Sequence, residues 1–161
     1  ERISKLIVAD IAPKTYVAGH TPYFKALKEI PWATLQSRKD IDEALLYYEQ
    51  NIGIRLFLAK NIERNENGVF ELKCNINAIE HAYPEIIGAL HFSQTNNIPT
   101  LFILGENSNY LKEEDKPYIE SYFKNVTYQN VSKAGHWLHA DNPSEFLEKL
   151  IAFLTINLKN I

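Results

Sequence analysis

The chain has 161 residues, 45% of them hydrophobic and 12% aromatic, enough to bury one modest core in a globular domain. Its formal net charge of −3, with lysines scattered rather than clustered, offers no basic face to nucleic acid or anionic lipid, and no apolar run reaches membrane-spanning length. The single Cys74 excludes an internal disulfide and a cysteine metal cluster, and it fits a reducing, cytoplasmic setting. Methionine is absent, and Glu1-Arg2-Ile3-Ser4-Lys5 reads as the tail of a helix running straight into a strand. The natural start is therefore expected upstream.

Leu6-Ile7-Val8-Ala9 is a short apolar run closed by Asp10 and then Pro13, the pattern of a strand buried on both faces with a functional loop at its carboxyl end. From residue 14 to 92 the character turns helical. Thr21-Pro22 opens a short helix, and Ser37 with Asp40 three positions on opens a second through Ile41, Ala44, Leu45 and Tyr48. Ile54 to Ile62 continues helical, Asn67-Gly68 marks a turn before Val69–Leu72, and Pro84 is expected to break the helical run around Ala78–Tyr83. Pro99–Leu104 reads as a strand stopped by Gly105, Glu113–Phe123 as a helix and Val126–Val131 as a more amphipathic strand, an order that suggests parallel pairing through a right-handed crossover. A last helix is signalled by Asn142 as cap, Pro143 at the first helical position and Glu145 in the first turn. Its stripe of Phe146, Leu147, Leu150, Ile151, Leu154 and Leu158 is expected to pack on the sheet. The fold class is α/β: a sheet core from residues 1–13 and 93–161 with a helical insertion over 14–92.

In an open parallel sheet, catalytic groups gather beyond the carboxyl ends of the strands. Three residues fall there independently: Asp10 after the first strand, Ser108 after the second and His136 after the third. An acid, a hydroxyl and an imidazole at one edge suit a relay in which the base accepts a nucleophile's proton while an oxygen acceptor holds its other ring N–H. The hydroxyl of Ser108 lacks the strained elbow of a nucleophile. Indeed none of Ser4, Ser37, Ser93, Ser108, Ser121, Ser132 or Ser144 stands in Gly-x-Ser-x-Gly. Asp141 is a rival acid by proximity to His136, although its place before Asn142 suits helix-start electrostatics better. Trp137, Tyr110, Phe24 and Phe57 are candidates to line an apolar pocket, with plain core as the alternative for each. The five histidines are not at metal-ligand spacing, so no metal site is expected.

Four segments in order, Leu6-Ile7-Val8-Ala9-Asp10-Ile11-Ala12-Pro13, Ser37-Arg38-x-Asp40-Ile41, Leu104-Gly105-x-Asn107-Ser108-x-Tyr110 and Ala134-Gly135-His136-Trp137-x-His139-Ala140-x-x-Pro143, resemble the YbfF-type esterases of the α/β-hydrolase superfamily. The resemblance runs over essentially the whole chain. It implies that these are the last three parallel strands of an α/β-hydrolase sheet with an inserted helical cap, beginning just after the helix that follows the nucleophile. It further implies His136 as general base, Asp10 as the acid orienting it and Ser108 as a member of their hydrogen-bond network. The nucleophilic serine and the oxyanion donors would then lie in the missing N-terminal half. The substrate would be a small-molecule acyl ester or thioester, with no cofactor required. Two other readings stay open: a hydrolase of the same fold with an aspartate nucleophile, of the dehalogenase or epoxide hydrolase kind, and a non-catalytic fragment or binding module, whose first strand would expose an unpaired apolar edge.

Overall fold

A computed structural model describes residues 3–155. In chain order they form β1 (Leu6–Ala9), α1 (Thr21–Glu29), α2 (Arg38–Leu46), α3 (Ile52–Ala59), β2 (Ile62–Arg64), β3 (Phe70–Leu72), α4 (Ile76–Ile86), β4 (Thr100–Gly105), α5 (Lys116–Tyr122), β5 (Val126–Val131), α6 (Leu138–Asp141) and α7 (Pro143–Thr155). They divide between two compact units, Glu1–Lys14 with Ala89–Ile161, and Thr15–Gly88. No described helix is long and apolar enough to cross a membrane.

The first unit is a three-stranded sheet in the order β1-β4-β5 with both pairs parallel, Ile7 standing opposite Leu101 and Leu101 opposite Thr127. The central β4 is buried along its whole length. Its alternating side chains feed two layers, as a period of two requires. Phe102 and Leu104 join Leu111, Ile119 and Phe123 on one side, while Leu101 and Ile103 join Val131, Ala134, Leu138 and Phe153 on the other. Each such apolar side chain contributes about 1.5–3 kcal/mol by leaving water. By contrast β1 is only half-buried and Ala9 is exposed, because among the described residues its ladder runs on one side only. Leu6 and Val8 nonetheless pack on one layer and Ile7 on the other, so both faces of the strand are covered in part. Ile3–Lys5 leads into β1 without a helical turn, and Glu1 and Arg2 lie outside the described residues.

Asn142 does cap α7, its Oδ1 accepting the Glu145 N–H at 3.3 Å. The helix carries two adjacent apolar stripes, however, and the sheet takes one. Phe146 and Phe153 pack on it, while Leu147, Ile151 and Leu154 are 56%, 51% and 48% exposed. Leu158, counted in the same stripe, lies outside the described residues.

The second unit packs α1 to α4 and a β2–β3 hairpin around Phe24, Leu27, Ile41, Leu45, Leu58 and Ile62. Ser37 and Asp40 form a full capping box on α2, and Asn51 and Asn75 cap α3 and α4 through their side chains. Two expectations are corrected here. The third helix stops at Ala59, because Ile62 is fully buried as a strand residue paired with Leu72. Pro84 sits inside α4 rather than ending it: so near the carboxyl end, one missing N–H is tolerated, and the Ile87 N–H still reaches Tyr83 O at 3.1 Å.

Candidate active site

The carboxyl end of β1 meets that of β4 in an unusual way. Asp10 still donates its N–H to Ile103 O at 2.8 Å, but its own backbone turns to φ 49°, the left-handed region that a short polar side chain tolerates better than most. The turn takes the backbone carbonyl out of the ladder and puts the side chain in its place. Asp10 Oδ1 accepts the Gly105 N–H at 3.0 Å. The carboxylate is fully buried. Such a group needs donors around it, and it has two more: the Ser108 hydroxyl at 2.5 Å and His136 Nδ1 at 2.8 Å, both on Oδ2.

The tautomer of His136 follows from this contact. A carboxylate only accepts, so Nδ1 carries the proton, and Nε2 is the acceptor nitrogen of the neutral ring. The imidazole is 42% exposed, so it reaches from a buried anion toward open surface. Tyr110 stacks on it with ring centroids 3.8 Å apart and planes at 12°, which fixes the ring's face. The Tyr110 N–H in turn donates to Ser108 Oγ at 3.3 Å. Ser108 therefore spends its proton on Asp10, and its hydroxyl is a bridge between loops rather than an exposed nucleophile.

Gly105 is the floor under both partners. A Cβ there would lie 2.1 Å from Gly135 O and 2.7 Å from Ala134 O, so only glycine lets the histidine loop close onto the end of β4. The two loops are also stitched together by Glu106 N–H to Val131 O at 3.0 Å and Asn107 N–H to Ala134 O at 2.8 Å. Sequence reasoning missed this double role of Gly105, though Leu104-Gly105 at a strand end was its signal.

The structure thus brings together Asp10, Ser108, Tyr110 and His136. The remaining candidates fall elsewhere. Asp141 ends α6 directly before the Asn142 cap of α7, and its Oδ2 takes the Gly135 N–H at 2.8 Å. Trp137 is half-buried just before α6. In the second unit Phe24 is buried edge-on to Tyr83, whereas Phe57 is 50% exposed. Among the described residues no group of three or more His, Cys, Asp or Glu could hold a metal ion.

Parallel strands that deliver an acid, a hydroxyl and an imidazole past their carboxyl ends are an α/β-hydrolase arrangement, and the fold of the chain is the α/β-hydrolase one. The chain is 32% identical over 161 residues to the sn-1-specific diacylglycerol lipase ABHD11 of Danio rerio, covering 94% of this chain and 50% of that protein. It is 28% identical to Esterase YbfF of Escherichia coli, covering 96% of this chain and 59% of the relative. Among solved structures, a marine microorganism esterase superposes with a TM-score of 0.89 at 37% identity, covering 94% of this chain and 61% of that one. No family model matches. The chain spans about half the length of the curated relatives it matches.

Proposed function

We propose that the complete protein hydrolyses carboxylic esters or thioesters with a small to medium acyl group, with His136 as general base and Asp10 as the residue that orients it. One observation carries the reading: His136 Nδ1 is committed to a buried carboxylate while Nε2 is turned to accept a proton at a partly open surface. The relatives named as esterases and lipases support the same chemistry. In this reaction a serine from outside these 161 residues attacks the acyl carbonyl and gives its proton to Nε2. The imidazolium faces the Asp10 carboxylate and returns that proton to the leaving oxygen or sulfur as the C–O or C–S bond breaks. Water then attacks the acyl-enzyme and loses its proton to Nε2, and as the bond from the acyl carbon to the serine oxygen breaks, Nε2 returns that proton to the serine and the acid leaves. Ser108 and Tyr110 hold the acid and the base in register. Trp137 and Tyr110 are acyl-pocket side chains of this reading, and the cytoplasm its setting.

The test is fluorophosphonate labelling of the complete protein followed by peptide mapping. An adduct on a serine outside residues 1–161, abolished by His136→Ala, is the expected result. An adduct on Ser108 would overturn the architecture, and a protein that turns over substrate without labelling would point to an aspartate nucleophile.

A further inference from the structure

The approach to His136 is tied down by side chains rather than by a strand partner. The ladder of β5 ends at Val131, and beyond it three N–H groups are taken by carboxylates. Ser132 N–H donates to Glu145 Oε2 at 3.0 Å, Lys133 N–H to Glu106 Oε2 at 2.7 Å and Gly135 N–H to Asp141 Oδ2 at 2.8 Å. These acids come from α7, from the loop after β4 and from the end of α6. The loop needs them, since Lys133 sits at φ 57°, a conformation that a long side chain does not adopt unaided.

Glu145 is the general anchor at the base. It also takes the Ser132 hydroxyl and the Asn142 amide, and the Ser132 hydroxyl, with Lys149 alongside, holds its carboxyl down at about 2. The other two stand nearer the imidazole. Asp141 closes the segment 135–141 on itself, with its carboxylate on the Gly135 N–H and its own N–H on Trp137 O at 2.9 Å, and His136 lies within that ring. Glu106 ties the loop that carries Ser108 to the loop that carries His136.

We propose that Asp141 and Glu106 are positioning residues for His136, holding its loop so that Nδ1 stays on Asp10 and Nε2 keeps its direction. The inference rests on His136 being the base of the proposed hydrolase. It requires an acceptor oxygen at each position rather than a charge, which separates it from simple surface electrostatics.

In the complete protein, Asp141→Ala is expected to lower kcat on p-nitrophenyl acetate by about 30-fold with KM within about twofold, because a displaced base slows proton transfer without touching ester binding. Asp141→Asn keeps a carbonyl oxygen in place and recovers most of that loss. The His136 Nδ1–H proton resonance reads the bond to Asp10 directly, whether or not an ester is turned over. It should broaden in Asp141→Ala and persist in Asp141→Asn. Glu106→Ala and Glu106→Gln give the same pair of readouts should Asp141→Ala fail to fold. A sharp resonance and parental kcat in both alanine variants would overturn the inference, as would equal losses in the alanine and amide variants. If the resonance behaves as expected in a protein that hydrolyses no ester, the positioning of His136 stands and the hydrolase reading falls.

Discussion

In the α/β unit a residue's place follows from a ladder, whereas in the helical unit it follows from caps and packing. Asp10, Gly105 and His136 are located by the ends of three parallel strands whose register is set residue by residue. The buried polar group of the helical unit, Arg55, is instead absorbed into structure: its guanidinium meets Asp42 at 2.6 Å and the Glu49 and Gln50 carbonyls at 3.2 and 2.9 Å. Asp10 and Arg55 are both buried charges with several partners. The difference is that one of the partners of Asp10 is a half-exposed imidazole with a second ring nitrogen to carry a proton onward, while the partners of Arg55 are a carboxylate and two backbone carbonyls that only accept hydrogen bonds. Burial of charge alone does not mark chemistry. A buried carboxylate that holds one nitrogen of an imidazole and leaves the other toward the surface does.

The largest expected effect breaks the comparison at Asp10. Asp10→Asn keeps a side chain suited to the left-handed backbone, yet its amide cannot serve the Gly105 N–H, the Ser108 hydroxyl and His136 Nδ1–H together. Turnover by the complete protein should fall about 10⁴-fold, measured as kcat on an activated ester. Asp10→Ala should lose as much activity and in addition about 3 kcal/mol of stability in urea unfolding, since it leaves buried donors unsatisfied and strains the backbone. Retention of kcat within tenfold in Asp10→Asn would show that another group orients the imidazole.

Next comes Gly105→Ala. A methyl group 2.1 Å from Gly135 O must push the histidine loop away from β4. The expected result is a fall of about 10²-fold in kcat together with a loss of about 2 kcal/mol, because the displaced loop carries His136, the proposed base, with it. Leu45→Ala makes the matching change in the helical unit, at a fully buried core position. It should cost about 3 kcal/mol in denaturant unfolding and leave the His136 Nδ1–H resonance where it was. The pair sharpens the contrast: one small change at a glycine alters chemistry and stability, and one large cavity alters stability alone.

Much of this division was legible in the amino-acid pattern. Leu6–Ala9, Pro99–Leu104 and Val126–Val131 advertise strands by apolar runs with turn residues at their ends, and the Ser37–Asp40 spacing advertises a cap, all of them local signals. The meeting of Asp10, Ser108 and His136 follows from strand order once the strands are taken as parallel. What stayed hidden depends on partners far away in the chain. Ile62 looks helical beside Ile54 and Leu58, and only Leu72 across the hairpin makes it a strand. The apolar face of α7 is ambiguous because two stripes fit the period and only contact with Leu101 and Ile103 selects one. The place of Asp141 before the Asn142 cap is legible, but its bond to Gly135 depends on the loop folding back on itself. Tyr110 was legible as an aromatic near the site but not as a ring stacked on the imidazole.

The smallest expected effects lie in the capping box of α2, where the helical unit uses a carboxylate much as the α/β unit does, as an acceptor of N–H groups. Asp40 Oδ2 takes the Gln36 and Ser37 N–H groups at 2.8 and 2.9 Å, and Ser37 Oγ takes the Asp40 N–H at 3.2 Å. Ser37→Ala should cost about 1 kcal/mol at neutral pH. The Asp40 carboxyl is held below its ordinary value, chiefly by the Gln36 N–H and then by Ser37. A carboxyl depressed in the folded state contributes stability above its unfolded pKa of about 4, and that contribution is lost as pH falls through the lower folded value. The stability gap between the parent and Asp40→Ala should therefore be constant from neutral pH to about 5 and close progressively in acid, which urea unfolding at a series of pH values will read. A gap that stays the same down to the acid limit would mean that this carboxylate holds the helix by shape and not by charge. The likeness to Asp10 would then end at the presence of N–H donors, and the feature that sets Asp10 apart would again be its link to a titratable imidazole.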